Sequence, residues 1–199
     1  MNILVTAFDP FGGEQVNPAQ QAVERLADTI KEAKLHKLVV PTVFGKAAED
    51  VIAAMDALRP DAVICVGQAG GRRAVTPERV AINVMDANIL DNAGQKPVDE
   101  PVVADGPAAY FSTLPVKAMV QAIRDAGLPG EISNSAGTFV CNSLLYSVLH
   151  HAAVHMPNTR AVFVHVPYVP EQTAGKDGIA SMPLEDIVRA LSAAIEGIQ

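Results

Sequence analysis

Cys141 is the residue of this sequence whose position most clearly suggests chemistry. It is predicted to begin a helix, because the apolar residues after it recur at helical spacing and the segment 135–140 (SAGTFV) precedes it. The first turn of a helix leaves backbone N–H groups unbonded and carries partial positive charge. We therefore expect a lowered thiol pKa, a nucleophilic sulfur, and N–H groups that stabilise an oxyanion.

The alternative for any cysteine is an inert, buried apolar residue. Cys65 fits that description, since it lies inside the apolar segment 62–66. Cys141 fits it less well, because the polar residues Asn142 and Ser143 follow it at a junction between strand and helix. Open α/β sheets bind ligands at such junctions.

His165 is the histidine best placed to act as a base for Cys141. It lies near the carboxyl end of the apolar segment 161–166. Parallel strands bring their carboxyl ends to one edge of a sheet, where His165 and Cys141 can meet. Without further support, a histidine at such a position is more often a buried strand residue than a base.

Three other histidines follow Cys141 at a distance of two or more helical turns. His151 and His155 have the i,i+4 spacing of metal ligands, and His150 precedes them. Two histidines need further Cys, His or carboxylate ligands to hold zinc, so we interpret them as a solvated helix face. No metal site is predicted.

The elements that position these residues alternate along the chain. Short apolar runs predict buried strands at 3–7, 38–43, 62–66 and 161–166. Apolar residues at helical spacing predict helices over 19–30, 51–58, 116–123, 141–152 and 184–195. This alternation predicts an α/β fold: a three-layer sandwich with a mostly parallel central sheet covered by helices on both faces.

Three segments depart from that alternation. Residues 80–84 alternate apolar and polar or small side chains, which predicts a half-exposed antiparallel strand, and a short strand is predicted near 131–133. Residues 86–115 are rich in Pro, Asp and Gly and have little periodicity. This excursion is long for a connection, which suggests a hairpin, a lid or an oligomer contact.

Composition limits the classes of function. A chain of 199 residues with 49% hydrophobic content predicts one domain over 1–199. The net charge of −7 without a basic cluster argues against nucleic acid, and no apolar run is long enough to span a membrane. Two cysteines and no signal-peptide pattern at the start predict a cytoplasmic protein without disulfides.

Four motifs in order resemble the pyroglutamyl peptidase I (pyrrolidone carboxyl peptidase) family of cysteine peptidases. They are residues 8–13 (FDPFGG) with Asn17-Pro18, residues 67–72 (GQAGGR) with 76–83 (TPERVAIN), residues 135–146 (SAGTFVCNSLLY), and residues 165–168 (HVPY). Together they span nearly the whole chain. The resemblance implies a hydrolase that removes an N-terminal pyroglutamyl residue from peptides through a thioester.

Carried over by position, the resemblance makes Cys141 the nucleophile, His165 the general base and later acid, and Glu78 the third member of the triad. A carboxylate on one imidazole nitrogen fixes the tautomer, so that the other nitrogen faces the thiol. Outside the motif, Glu78 would be interpreted as a surface charge paired with Arg79. The family requires no metal or cofactor, and often forms a homo-oligomer, commonly a tetramer.

The resemblance also implies a substrate pocket. Phe8, Phe11 and Phe139 correspond to aromatic walls for the flat, uncharged lactam, while Gln68 and Asn17 correspond to polar groups that bind the ring amide. Core filling is the alternative for the phenylalanines, chiefly Phe139. Helix capping is the alternative for Asn17.

The sequence departs from the family pattern at two positions, and two other functions are compatible with it. Asn88 and Leu90 stand where the family often has arginine and proline, which bears on the rate if that arginine assists the oxyanion. One competing function is a catalytically impaired relative. The other is a small-ligand or phosphate-binding module built on the Gly-rich turns, which lack the spacing of known phosphate loops.

Overall fold

The computed structural model describes residues 1–198 of the chain. Its strands are β1 (Asn2–Phe8), β2 (Thr29–Ile30), β3 (Ala33–Val40), β4 (Ala62–Gln68), β5 (Thr76–Pro77), β6 (Val80–Ile82), β7 (Ala109–Phe111) and β8 (Arg160–Val166). Its helices are α1 (Pro18–Arg25), α2 (Lys46–Leu58), α3 (Val116–Asp125), α4 (Val140–His155), α5 (Pro170–Thr173) and α6 (Leu184–Glu196).

The main sheet has the strand order β2-β3-β1-β4-β8-β5. Strands β3, β1, β4 and β8 are parallel, whereas β2 and β5 pair antiparallel at the two edges. All seven residues of β4 are buried, as expected of a central parallel strand covered on both faces. The predicted mostly parallel sheet is confirmed.

Two helical layers cover the sheet. Alternate residues of β1 point to opposite faces, so that Ile3 and Val5 join one hydrophobic cluster while Leu4 and Phe8 join the other. Apolar residues of α1, α3 and α6 pack in the first cluster, and those of α2 and α4 pack in the second. The predicted three-layer α/β sandwich is therefore confirmed. No helix in the described part of the chain has the length and apolar character needed to cross a bilayer.

The first helix is shorter than predicted. It ends just before Leu26, whose ψ of 144° is not helical and whose carbonyl accepts a hydrogen bond from Nζ of Lys37. Ile30, predicted to lie in the helix, instead pairs with Ala33 in the antiparallel β2–β3 hairpin. The prediction of a helix through residue 30 and a strand starting at residue 38 was wrong, because an edge hairpin buries the same apolar side chains.

The excursion at 86–115 contains one arm of a hairpin. β6 and β7 pair antiparallel, which confirms the antiparallel strand, but only β7 lies within 86–115, so the excursion does not form a hairpin by itself. Asn83 holds the intervening loop, since its side chain accepts from the N–H of Val103 at 2.9 Å and donates to the carbonyls of Val103 and Gly106 at 2.8 and 3.2 Å. A role as lid or oligomer contact stays a prediction.

The predicted strand at 131–133 was wrong. This segment makes only isolated bridges, between Val75 and Gly130 and between Glu78 and Ser133. The bridge at Ser133 nevertheless holds this segment against Glu78, immediately before the chain turns towards Cys141.

Candidate active site

Cys141 is the second residue of α4, as predicted. Phe139 is the N-cap with an extended backbone, and Ser143 makes the first i→i−4 hydrogen bond, to the carbonyl of Phe139 at 3.2 Å. The N–H of Cys141 therefore belongs to the first turn, where no helical carbonyl precedes it as acceptor. The structure confirms the helix start on which the proposed nucleophile depends.

Three residues, Gly137, Thr138 and Asn142, fix the start of α4. Gly137 has φ of 76°, a left-handed conformation that glycine adopts without strain, and turns the chain into the helix. Thr138 donates its hydroxyl to the carbonyl of Asp86 at 2.7 Å. One turn later, the buried amide of Asn142 accepts from the N–H of Ile82 at 3.0 Å and donates to its carbonyl at 2.9 Å. Sequence reasoning treated Asn142 only as a polar neighbour, whereas it ties α4 to β6.

His165 and Glu78 are in direct contact. His165 lies in β8, opposite Gly67 of β4 on one side and Thr76 of β5 on the other. Glu78 follows β5, and its Oε1 lies 2.6 Å from Nδ1 of His165. The carboxylate fixes the tautomer with hydrogen on Nδ1, which leaves Nε2 as an acceptor. The geometry brings together the histidine and glutamate that the resemblance paired.

Cys141 reaches the same strand end. A β-carbon added at Gly67 would lie 3.4 Å from Sγ of Cys141, and Gly67 is the direct partner of His165 across the β4–β8 ladder. The ring of Phe163, two residues before His165, contacts the imidazole with 4.7 Å between the ring centroids. The three predicted catalytic residues therefore lie around one edge of the sheet.

Arg72 is the ion-pair partner of Glu78, which sequence reasoning missed. Its Nη1 donates to Oε1 of Glu78 at 2.6 Å and to Oγ1 of Thr76, and its Nη2 donates to the carbonyl of Ser135 at 3.2 Å. Arg79 instead donates to Oδ1 of Asn134 at 2.8 Å. The available signal was the arginine that ends the Gly-rich segment six residues before Glu78.

The ionisation of Glu78 and His165 follows from these contacts. Burial alone would raise the pKa of Glu78, but the hydrogen bond and charge of His165, with smaller effects from Ser133 and Arg72, lower it overall. Burial lowers the pKa of His165 more than Glu78 raises it, and Arg72 adds to the lowering. At neutral pH the pair is a carboxylate beside a neutral imidazole.

The expected low thiol pKa was wrong. Burial, and after it the charge of Glu78, raises the pKa of Cys141 to about 12, against the opposing effects of Arg72 and of its own backbone N–H. Only 7% of Cys141 is exposed. Desolvation of a thiolate thus outweighs the helix terminus. The resting sulfur is a thiol, so the reaction needs a base, and a neutral His165 is suited to that task.

A cavity of about 560 Å³ opens at this edge of the sheet. Of the predicted pocket residues, Phe11 and Gln68 line it, together with Ile89, Tyr168 and Ile179. The exposed Asn88 directly precedes the lining residue Ile89. The walls combine the apolar side chains of Phe11, Ile89 and Ile179 with the polar side chains of Gln68, Tyr168 and Glu14, and Oε2 of Glu14 accepts from Nε2 of Gln172 at 3.3 Å.

The other predicted pocket residues lie behind the cavity wall. Phe139 stands at the helix start with its ring 6.1 Å from that of Phe11, whereas Phe8 is 1% exposed and packs against Phe163 at 6.1 Å. Phe8 is thus in the position of a core residue beneath the site. Asn17 caps α1, accepting from the N–H of Ala19 and donating to the carbonyl of Asp9, both at 3.0 Å. Direct contact of these side chains with substrate stays a prediction.

The amide of Gln68 has a defined orientation. Nε2 of the buried Gln172 donates to its Oε1 at 2.8 Å, and Oε1 of Gln172 in turn accepts from the N–H of Val169 at 3.2 Å. Nε2 of Gln68 is therefore the group that can donate into the cavity. Sequence reasoning placed Gln68 but missed Gln172, which lies in the short helix α5.

Three of the other four histidines lie on α4, away from this edge, and His36 lies in β3. His150 contacts the hydroxyl of Tyr110 at 2.9 Å, and His151 contacts Asp56 at 3.1 Å, with the ring of His155 4.9 Å from that of His151. Among residues 1–198, no three His, Cys, Asp or Glu side chains are grouped as metal ligands.

A family match, two relatives in sequence and two solved structures all point to the same family of peptidases. The family described as "Pyroglutamyl peptidase" matches residues 1–199. Pyrrolidone-carboxylate peptidases of Streptococcus pyogenes serotype M12 and Levilactobacillus brevis are each 54% identical over 198 residues, covering 100% of this chain and 92% and 97% of those proteins. The crystal structure of pyroglutamyl peptidase I from Bacillus amyloliquefaciens has a TM-score of 0.96 at 45% identity, covering 99% of this chain and 94% of that one. A mutant pyrrolidone carboxyl peptidase from Pyrococcus furiosus has a TM-score of 0.95 at 43% identity, covering 100% and 98%.

Proposed function

The chain belongs to the pyroglutamyl peptidase family, and from that membership we propose that it hydrolyses the bond between an N-terminal pyroglutamyl residue and the rest of a peptide. The single observation that best supports this activity is the Glu78–His165 contact at 2.6 Å, because His165 pairs directly with Gly67, whose β-position lies 3.4 Å from Sγ of Cys141. This arrangement supplies a nucleophile, a base and the group that orients the base.

In the acylation step, Nε2 of His165 removes the proton of the Cys141 thiol as Sγ attacks the pyroglutamyl carbonyl carbon. The carbonyl oxygen becomes an oxyanion, and N–H groups of the first turn of α4 stabilise it. The imidazolium then gives its proton to the leaving amine, and the C–N bond breaks. A thioester to Cys141 and a shortened peptide result.

In the deacylation step, Nε2 of His165 takes a proton from water, whose oxygen attacks the thioester carbonyl. The C–S bond breaks, pyroglutamate leaves, and the proton returns to the sulfur. Glu78 stabilises the imidazolium in both steps through the Nδ1 hydrogen bond. No step requires a group that this chain does not provide.

Specificity for the lactam is proposed to reside in Gln68 and the aromatic side chains. Gln172 occupies Oε1 of Gln68, so Nε2 of Gln68 is placed to donate to the ring carbonyl. Phe11 lines the cavity, and Phe139 packs against it. A prolyl residue lacks the ring carbonyl, and would leave the buried donor of Gln68 unpaired.

Hydrolysis of a pyroglutamyl chromogenic amide, compared with the prolyl amide, tests this function. We expect turnover of the first substrate only, loss of turnover in Cys141→Ala, and retention in Cys65→Ala, whose thiol lies fully buried in β4. A folded wild-type protein that hydrolyses neither amide would instead support the catalytically impaired relative. Turnover that survives Cys141→Ala would remove Cys141 from the mechanism.

Three further expectations belong with this proposal. We propose that residues 1–199 form one domain, that the protein acts on peptides in the cytoplasm, and that it forms a homo-oligomer. Both cysteines are free, as a reducing compartment requires. Light scattering coupled to gel filtration tests the oligomer, and a monomeric mass at micromolar concentration would contradict it.

A further inference from the structure

Arg72 contacts the carboxylate that orients His165, and its charge can therefore influence the protonation of both Glu78 and His165. Its Nη1 shares Oε1 of Glu78 with Nδ1 of His165, each at 2.6 Å. The same guanidinium group donates to Thr76 of β5 and to the carbonyl of Ser135 in the segment that leads to Cys141. One cation thus links the carboxylate, the strand beside His165 and the chain before the nucleophile.

The burial of Glu78 makes this cation necessary. The Glu78 side chain has no solvent exposure, whereas that of Arg72 is 27% exposed. An ionised carboxylate buried beside a neutral imidazole lacks a counter-charge, and such a group tends to take up a proton. A protonated Glu78 could not stabilise the imidazolium. Arg72 supplies the charge that keeps the carboxylate ionised before His165 becomes protonated.

We propose that Arg72 is a positioning residue that keeps Glu78 ionised and His165 neutral in the resting site. The inference rests on the proposed function, in which His165 is the base. The charged and titratable groups around His165 are Glu78 after β5, Arg72 from the Gly-rich segment, and Cys141 from α4. Of these, Arg72 is the cation.

The effects of Arg72 on the pKa values of its neighbours have the sign that this role requires. The positive charge of Arg72 lowers the pKa of Glu78, of His165 and of Cys141. Its removal leaves Glu78 as an uncompensated charge, which raises the pKa of His165. Because His165 acts in its neutral form, activity then requires a higher pH.

The experiment compares Arg72→Lys, Arg72→Leu and Arg73→Leu. Arg73 is exposed and adjacent, so its replacement removes the same formal charge from the same segment and serves as the matched control. Two quantities are measured for each protein: the acid limb of kcat/KM for a pyroglutamyl amide, and the NMR titration of the His165 imidazole, assigned with His165→Gln. Thermal unfolding reports whether each variant folds.

For Arg72→Leu we expect the acid limb and the imidazole titration to move to higher pH by about half a unit to one unit. We also expect kcat to fall roughly ten- to a hundred-fold with a smaller change in KM, since Arg72 does not line the cavity. Arg72→Lys keeps a positive charge but loses the forked geometry of the guanidinium group. We therefore expect the acid limb of its kcat/KM profile to stay near that of the wild type, and its kcat to fall less than that of Arg72→Leu. Arg73→Leu leaves both measurements unchanged.

A purely structural Arg72 would give a different pattern. Arg72→Leu would then unfold at lower temperature and lose activity, but its acid limb and imidazole titration would match the wild type, which would overturn the proposal.

If Arg72→Leu does not fold, Arg72→Lys decides. An imidazole titration that moves by as much as one pH unit despite the retained cation would contradict the charge argument. The NMR titration needs no turnover. It therefore tests Arg72 even if the wild type fails to hydrolyse the amide and the proposed function falls.

Discussion

The β-position of Gly67 lies 3.4 Å from Sγ of Cys141 and 2.6 Å from Cζ of Phe163. The ring of Phe163 therefore occupies the space that a side chain at Gly67 would need, at the end of β4 directly across from His165, whereas the sulfur is in ordinary van der Waals contact with the same position. Glycine is required at position 67 because there is no room for a side chain. Its backbone conformation is not the reason, since Gly67 lies within a regular parallel strand. The relationship explains why a glycine stands in an otherwise apolar strand.

Gly67→Ala tests that explanation. The added methyl group overlaps the fully buried ring of Phe163, which cannot move without disturbing the core. We expect a loss of about 1–3 kcal/mol in unfolding free energy and a fall in kcat, measured by denaturant unfolding and by the amide assay. Gly71→Ala is the control for a glycine whose β-position meets no atom within 4 Å, although its φ of 84° adds backbone strain. Wild-type stability of Gly67→Ala would contradict the close packing of Phe163 against this end of β4.

Glu78→Gln tests the third member of the triad. The amide retains the size of the side chain but loses the charge that stabilises the imidazolium, so we expect kcat to fall by roughly 10²–10⁴-fold. Circular dichroism should show the fold intact. Glu171→Gln, on α5 outside the site, is a control for the same chemical change on an exposed carboxylate. Near-normal turnover of Glu78→Gln would remove Glu78 from the triad.

The pH dependence of alkylation tests the ionisation state of Cys141. Because burial raises its thiol pKa to about 12, the rate of reaction with iodoacetamide should keep rising beyond pH 9. Activity behaves differently: it rises as His165 loses its proton, below the ordinary histidine pKa of about 6.5. Mass spectrometry locates the modification on Cys141 and not on Cys65. An alkylation rate that is already constant from pH 6 to pH 9 would show a resting thiolate, contrary to the structure.

Asn17 offers a choice between two roles. Asn17→Asp keeps the oxygen that caps α1 but loses the donor to the carbonyl of Asp9, whereas Asn17→Ala loses both. If Asn17 acts through the cap, Asn17→Ala loses about 1 kcal/mol of stability and Asn17→Asp loses less. If Asn17 also binds the lactam, both variants in addition raise KM for the pyroglutamyl amide. Chemical denaturation and steady-state kinetics on the same samples separate the two roles.

The sequence correctly predicted the elements whose local residue pattern fits only one type of secondary structure. Cys141 at a helix start and His165 at a strand end follow from apolar periodicity, and the Glu78–His165 contact followed from the family motif. The end of α1 did not follow, because Ile30 fits a helical stripe and an edge strand equally well. The choice depends on Lys37, which lies in another strand and binds the carbonyl of Leu26.

The electrostatics of the site were harder to predict. A helix start favours a thiolate, but the burial that opposes it is contributed by residues distant in sequence, among them Phe163. The sequence offered the adjacent Arg79 as the partner of Glu78, and Arg72, six residues before Glu78, was missed. Only the path of the chain near Ser135 and Asn134 sends Arg72 to the carboxylate and Arg79 away from it.

Trapping of the acyl-enzyme shows whether Cys141 is the nucleophile. An activated pyroglutamyl ester is mixed with the protein, quenched in acid within the first turnover, and digested for mass spectrometry. We expect one pyroglutamyl group on the peptide that contains Cys141, absent from Cys141→Ala and present in Cys65→Ala. Rapid turnover without any acyl group on Cys141, or an acyl group on another residue, would contradict this role of Cys141.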